Sequence, residues 1–298
     1  MQLSTTTKGI LFALSGAALN GTIGTLSKTL IAIQVDPAWI AFLKTALGFV
    51  VIWLVLQVAR QNYQSGRWYT VLIAAFFGIF ALFYFETLAY QYMSTANVVV
   101  ILMASAAVTA NLAGWLLLRD KPTGNQWFGM LMAIVGIAFI IGVNVNIRWY
   151  GIFSALSAGF GYGLFTVLLK KFNLKGGLIL TRQLMLWGVL FLWMPAIQKP
   201  FMLEPLLSTP AVIALLGLAI LPSVLGFFCI TRAVDYLSPS RVQLLGLSEP
   251  AFAAMIAFFV LGESVHLSTW IGAIFVLCGI YYGCKTSGAL EHKSDESI

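Results

Sequence analysis

Ten mostly apolar runs fill this chain, each close to the ~20 residues that carry a helix across a bilayer. They lie at about 8–33, 38–59, 68–92, 95–118, 125–143, 149–170, 177–197, 210–233, 241–261 and 267–284. The joins between them are short. Residues 1–7 are polar, and 286–298 (SGALEHKSDESI from 287) read as a disordered tail. Only 9 % of residues are charged, against roughly a quarter in a soluble domain, and 60 % are hydrophobic. With a mean hydropathy of +0.93, the class is a polytopic all-α membrane protein. The first run is too long and too rich in Gly to be a cleavable signal.

Lys and Arg set the expected orientation. With the N-terminus inside, the inner segments hold Lys8, Arg60, Arg67, Arg119, Lys121, Lys170, Lys171, Lys175, Arg241, Lys285 and Lys293, and the outer ones hold only Arg148 and Lys199. Both termini are therefore expected in the cytoplasm. The pI near 9.4 does not indicate nucleic acid, because the basic residues are scattered through loops without a stripe or motif.

The chain repeats itself. GILFALSG (9–16) lies over GIFSALSA (151–158), so that Gly21 falls on Gly163 and Lys28 on Lys170. Tyr92-Met93-Ser94 lies over Tyr236-Leu237-Ser238. Ser105, Trp127, Gly129 and Gly136 lie over Ser248, Trp270, Gly272 and Gly279. Each half holds five spans, an odd number, so the halves are expected to be inverted relative to one another: 1–146, then 147–285, then the tail 286–298. Inverted repeats are a construction of secondary transporters.

Residues 244–270 (LLGLSEPAFAAMIAFFVLGESVHLSTW) carry the most unusual chemistry. Glu249 is a carboxylate inside an apolar helix, where it needs a partner, a proton or water. Pro250 next to it releases the carbonyl of residue 246, which must be bonded otherwise. Together with Tyr236-Leu237-Ser238-Pro239, Leu261-Gly262-Glu263, Trp270-Ile271-Gly272 and Gly279, this stretch resembles the EamA family of the drug/metabolite transporter superfamily. Arg119-Asp120-Lys121-Pro122 and Gly129 form a fainter first-half copy. The resemblance spans about residues 8–284. It implies ten helices in two inverted halves around a central cavity, and export of amino acids or related amines from a bacterial cell across its inner membrane. The family usually carries a proline in the first-half helix as well. That place reads Ala106-Ala107 here, which predicts a straighter helix.

Candidate site residues follow from burial cost and internal symmetry. The first span is broken by Gly16, Gly21 and Gly24 and carries Asn20, Thr22, Thr25 and Ser27. The sixth carries Gly159, Gly161, Gly163, Ser154, Tyr162 and Thr166. Gly-interrupted polar segments at matching places mark transporter sites, or else close packing through small residues. Asn20 and Tyr162 align with each other. Glu249 fits a substrate ammonium ligand, a proton carrier, since burial raises a carboxyl pKa, or a structural and gating acid beside Pro250. Glu86, among Phe83, Tyr84, Phe85, Tyr90 and Tyr92, has no acidic counterpart, since Ile230 matches it. A specificity residue and a solvated rim residue inside an aromatic belt fit it equally. Lys44 and Arg182 read as snorkelling or structural cations that can also neutralise a carboxylate. Asn111 reads as an interhelical hydrogen-bonding group.

No P-loop, metal cluster, cofactor motif or hydrolytic constellation is present, which argues against an ATP-driven engine and against an enzyme acting on lipids. Cys229, Cys278 and Cys284 sit in apolar runs as plain thiols. Gly279-xxx-Gly283 allows a monomer or a weak homodimer. The expected function is alternating-access transport of a small polar metabolite, driven by its gradient or by proton exchange. An importer or exchanger of amines and a non-transporting scaffold are the alternatives.

Overall fold

In the computed structural model, which describes residues 4–58, 66–119, 123–142 and 148–262 with 271, 272, 274, 275, 278, 279 and 282, the apolar runs form helices joined by short turns. In chain order these are α1 (Thr5–Ala32), α2 (Pro37–Val58), α3 (Trp68–Tyr90), α4 (Thr95–Leu118), α5 (Gly124–Gly142), α6 (Trp149–Lys171), α7 (Leu178–Ala196), α8 (Thr209–Tyr236) and α9 (Pro239–Leu261). All but α5 are long and apolar enough, over the described residues, to cross a membrane. The expected tenth span, the junction at 146–147, Asp120, Glu263 and the tail lie wholly or largely outside the described residues. What is described after α9 packs on α5: Phe275 stacks on Phe139 at 5.5 Å and Tyr282 meets Phe128 edge-on at 5.5 Å.

Local chemistry sets the helix ends. Asp36 accepts the Ala38 N–H at 2.8 Å and Pro37 opens α2, an N-cap followed by a first-turn proline. α4 and α9 end alike, on left-handed residues Arg119 (φ +60°) and Gly262 (φ +64°), whose N–H groups return to the carbonyls of Gly114 and Ala257. The first-half copy makes this turn without glycine.

The two halves pack by the same rules. A Cβ on Gly9 of α1 would fall 2.9 Å from Tyr236 Cβ and press on Leu237, and one on Gly151 of α6 would fall 3.0 Å from Tyr92 Cβ and 2.9 Å from Met93 Cγ. Gly21 rests on Phe252 and Ala253 of α9 as Gly163 rests on Thr109 and Ala110 of α4. The partners keep the sequence offset of about 143, so α1 against α9 is the counterpart of α6 against α4. A π-turn recurs too, over Phe76–Tyr84 in α3 and Ala219–Gly226 in α8. In α8 the turn contains Pro222, which has no N–H to give, and the next residue adds a bond from its side chain: Ser223 Oγ donates to Leu218 O at 2.8 Å.

The halves differ where two helices break. α1 is interrupted at Gly21-Thr22, and α9 at Leu247-Ser248. Both breaks use one device. Thr22 gives its N–H (3.2 Å) and Oγ (2.7 Å) to Leu19 O, and Ser248 gives its N–H (3.1 Å) and Oγ (2.8 Å) to Leu245 O. Each is a tight turn in which a hydroxyl reinforces the bond to the carbonyl three residues back. Their counterparts α6 and α4 run unbroken, and for α4 this is as expected from Ala106-Ala107 in the place of Glu249-Pro250. Ser105, which matches Ser248, instead crosses to α6 and donates to Leu156 O at 2.8 Å.

Candidate functional site: a cavity between two broken helices

α1 and α9 meet at their breaks, and a small cavity of ≈ 10 Å³ lies beside them, room for about one water. It is lined by Asn20 and Ile23 of α1, Leu82, Phe83 and Glu86 of α3, Leu102 of α4, Tyr162 of α6, Pro222 and Phe227 of α8, and Glu249 of α9. Asn20, Glu86, Tyr162 and Glu249, far apart in sequence, thus share one site.

Glu249 opens the second segment of α9, where the chain has just left the tight turn and Pro250 occupies the following position. It is 3 % exposed. The Asn20 side-chain amide hydrogen-bonds it, while Glu249 Oε2 and Asn20 Oδ1 have no hydrogen-bond partner among the described residues. Asn20 Oδ1 lies against the α-carbon side of Gly226, where a Cβ would strike it. Tyr162, 3 % exposed, lies within the field of both carboxylates.

Glu86 is 1 % exposed, which overturns the rim reading. The π-turn of α3 ends one residue before Phe85, and the helix then aims Glu86 inward. Tyr90, one turn on, donates its hydroxyl to Glu86 Oε1 at 3.1 Å, and Oε2 is left without a hydrogen-bond partner. Tyr90 is therefore no membrane-interface belt residue: it is 2 % exposed and serves Glu86. The i, i+4 spacing of Glu86 and Tyr90 was the readable signal for it.

Lys44 does not snorkel. It is 1 % exposed, with Nζ 4.3 Å above the Phe83 ring and donating to Thr87 Oγ1 at 3.4 Å. The Thr87 hydroxyl in turn donates a hydrogen bond to Phe83 O at 2.6 Å. Lys44 thus lies behind Glu86, near enough for the two side chains to act on each other electrostatically, and α2 brings a buried amine to the edge of the site. Thr87 had no signal in the sequence, because a cross-helix contact leaves no period in either helix.

The remaining candidates lie elsewhere. Asn111 is fully buried in α4, but it donates back to Ala107 O at 2.9 Å and does not line the cavity. Arg182 sits half-buried in the second turn of α7, also away from it. Gly21 and Gly163 are contact points between helices.

The two ends of the bundle differ. At one end the connections 33–36 and 197–208 flank a pocket of ≈ 250 Å³ lined by Gln34, Asp36, Trp39, Gln91 and Phe201. There Trp39 Nε1 donates to Lys199 O at 3.1 Å. At the other end Asp235 accepts the Gly176 N–H at 3.0 and 3.1 Å and pairs with Arg232 at 3.0 Å, tying α8 to the α6–α7 connection.

Comparison with known proteins bears on this architecture. A crystal structure shares the fold with a TM-score of 0.73 over 96 % of this chain and 99 % of that one, at 15 % identity. An uncharacterized transporter of Archaeoglobus fulgidus is 25 % identical over 256 residues, 83 % of this chain and 88 % of that protein. The uncharacterized transporter YwfM of Bacillus subtilis is 21 % identical over 274 residues, 91 % of each chain. A probable amino-acid metabolite efflux pump of Salmonella typhimurium is 23 % identical over 193 residues, 61 % of this chain and 64 % of that one. The family model that describes EamA-like transporters matches twice, over 7–142 and 149–282, in step with the paired glycine contacts and the paired π-turns. On that double match, this multi-pass membrane protein belongs to the EamA-like transporter family.

Proposed function

We propose that the chain is a secondary carrier that exports small polar metabolites, amino acids among them, by alternating access, with the cavity between α1 and α9 as its substrate and coupling site. The observation that carries this is the meeting of Asn20, Glu86, Tyr162 and Glu249 in one cavity bounded by six helices from both halves. Discontinuous helices at a repeat interface are where carriers of this construction bind. The name of the Salmonella typhimurium relative supports efflux of amino-acid metabolites.

In this reading ten helices form two inverted halves with both termini in the cytoplasm of a bacterial cell, and the protein sits in the inner membrane. The Gly176–Asp235–Arg232 contact then lies on the cytoplasmic side, and the pocket around Asp36 is an outer vestibule. Glu249 is the residue that exchanges a proton for substrate. Tyr162, Glu86 and, behind Glu86, Lys44 are the titratable groups around it.

Counterflow in proteoliposomes tests the proposal. Vesicles preloaded with one unlabelled metabolite are offered a labelled trace, across amino acids, amines and carboxylates. Accumulation of label above the equilibrium level identifies a carrier and its substrate class. Silence across the panel, with the protein shown to be folded and inserted, rejects the carrier reading.

A further inference from the structure

We propose that the central cavity is a cradle for an unsubstituted ammonium group, held by the carboxylates of Glu86 and Glu249 with the amide oxygen of Asn20. The carrier reading above gives this cradle its place in a transport cycle; the binding itself does not need transport.

Three acceptors carry the inference. Glu86 Oε2, Glu249 Oε2 and Asn20 Oδ1 are all buried, all without a hydrogen-bond partner, and all on residues that line one cavity. A buried acceptor left without a donor is costly, more so when it is ionised. Of the donors present only the Tyr162 hydroxyl is unspent, and it can serve one oxygen of the three. Tyr90 serves Glu86 Oε1, the Asn20 amide serves Glu249, and Lys44 points at Thr87 and the Phe83 ring. What the site lacks is a group with several donors and no acceptor, and –NH₃⁺ is that group.

Charge and size agree. Two carboxylates face a single lysine, so with both ionised the site is one positive charge short. A cation on the substrate completes it. One proton on one acid would quench one oxygen and leave two. The room of ≈ 10 Å³ admits a water-sized head and excludes a trimethylammonium. Apart from the Tyr162 hydroxyl, the remaining walls, Leu82, Leu102 and Phe227 among them, are apolar and aromatic, so a bare sodium ion would find few oxygens beyond the acids and Asn20, while an ammonium also gains from an aromatic face. The cradle exists once per chain, because the repeat puts Ala106 opposite Glu249 and Ile230 opposite Glu86.

The test is binding, measured on the purified full-length protein in detergent at constant ionic strength. Thermal unfolding is followed against methylammonium, tetramethylammonium and sodium chlorides. Methylammonium should stabilise saturably, and tetramethylammonium and sodium should match each other with no saturation. Glu249→Gln and Glu86→Gln should each weaken methylammonium about tenfold to a hundredfold, as expected for losing a charged hydrogen bond. The cation series uses the unaltered chain, so it decides even where a variant fails to fold. Equal stabilisation by all three cations, saturation by sodium alone, or a methylammonium response that survives in a folded Glu249→Gln protein overturns the cradle. Methylammonium binding without counterflow of any metabolite keeps the cradle and removes the carrier. Counterflow of amine-free metabolites with no ammonium response does the reverse.

Discussion

Substituting alanine for glycine at Gly163 should destabilise the protein, whereas the same change at Gly114 should stabilise it, and the sign follows from geometry. At Gly163 a new Cβ would lie 2.8 Å from Thr109 Cβ and 3.0 Å from Ala110 N, and closer still to Ala106 O. Two of these three neighbours are α4 backbone and have no rotamer to move to, so α4 and α6 must separate. Overpacking of this kind costs about 1–3 kcal/mol. Removing a helical glycine returns about 0.5–1 kcal/mol. The net loss is about 1–2 kcal/mol, a fall in apparent Tm of roughly 2–8 °C. At Gly114 the nearest atom to the new Cβ is Ser240 Oγ at 3.8 Å, ordinary contact, so only the helix gain remains and Tm should rise by about 1–3 °C. Gly21→Ala, at the pseudo-equivalent place, meets Phe252 Cβ at 2.8 Å but backbone only at 3.1 Å, and should fall between the two. Thermal unfolding in one detergent, read by size-exclusion recovery after heating, ranks the three. A Gly163→Ala protein as stable as Gly114→Ala would refute the claim that α4 and α6 are in backbone contact.

Glu249→Gln keeps the shape of the site and removes its charge; counterflow should fall at least about tenfold and lose its pH dependence. A folded variant with unchanged, still pH-dependent transport defeats the coupling role. Lys44→Met leaves Glu86 without the buried amine behind it and should cost up to about 3 kcal/mol, much of it recovered in the Lys44→Met/Glu86→Gln double variant; additive losses in that thermal-unfolding cycle would show that the two residues do not act on each other. Ser248→Ala removes the Oγ bond to Leu245 O at 2.8 Å and should cost about 0.5–1.5 kcal/mol, seen as a lower Tm. Asn111→Ala should change stability by no more than about 1 kcal/mol and leave counterflow intact, because Asn111 bonds its own helix outside the cavity; a large transport defect would return it to the site.

Burial cost led from the residues to the cavity. An acid in an apolar run is rare enough to be read without coordinates, and both Glu249 and Glu86 sit in the cavity. Alignment of the halves led to Asn20 and Tyr162, which occupy matching places in the repeat and line the same cavity. The same logic misplaced Asn111, since a lone amide can satisfy half of itself on its own helix. Distance from a span end misjudged Lys44 and Glu86, because depth along a helix says nothing about the side on which a residue lies.

Length, hydropathy and the repeat required little beyond the chain itself. In lipid each backbone group must be bonded within its own helix, so apolar runs of this length have one regular solution. Which side chains meet is another matter. The breaks at Thr22 and Ser248 depend on hydroxyls that serve equally well inside a straight helix. The cavity depends on six helices each placing one to three residues around one point. Lys44 reaches Thr87 and the field of Glu86 only because α2 packs against α3. Contacts between helices are set by rotation about each helix axis and by relative tilt, and in a uniformly apolar helix nothing in the pattern of residues fixes either one; only the packed bundle does.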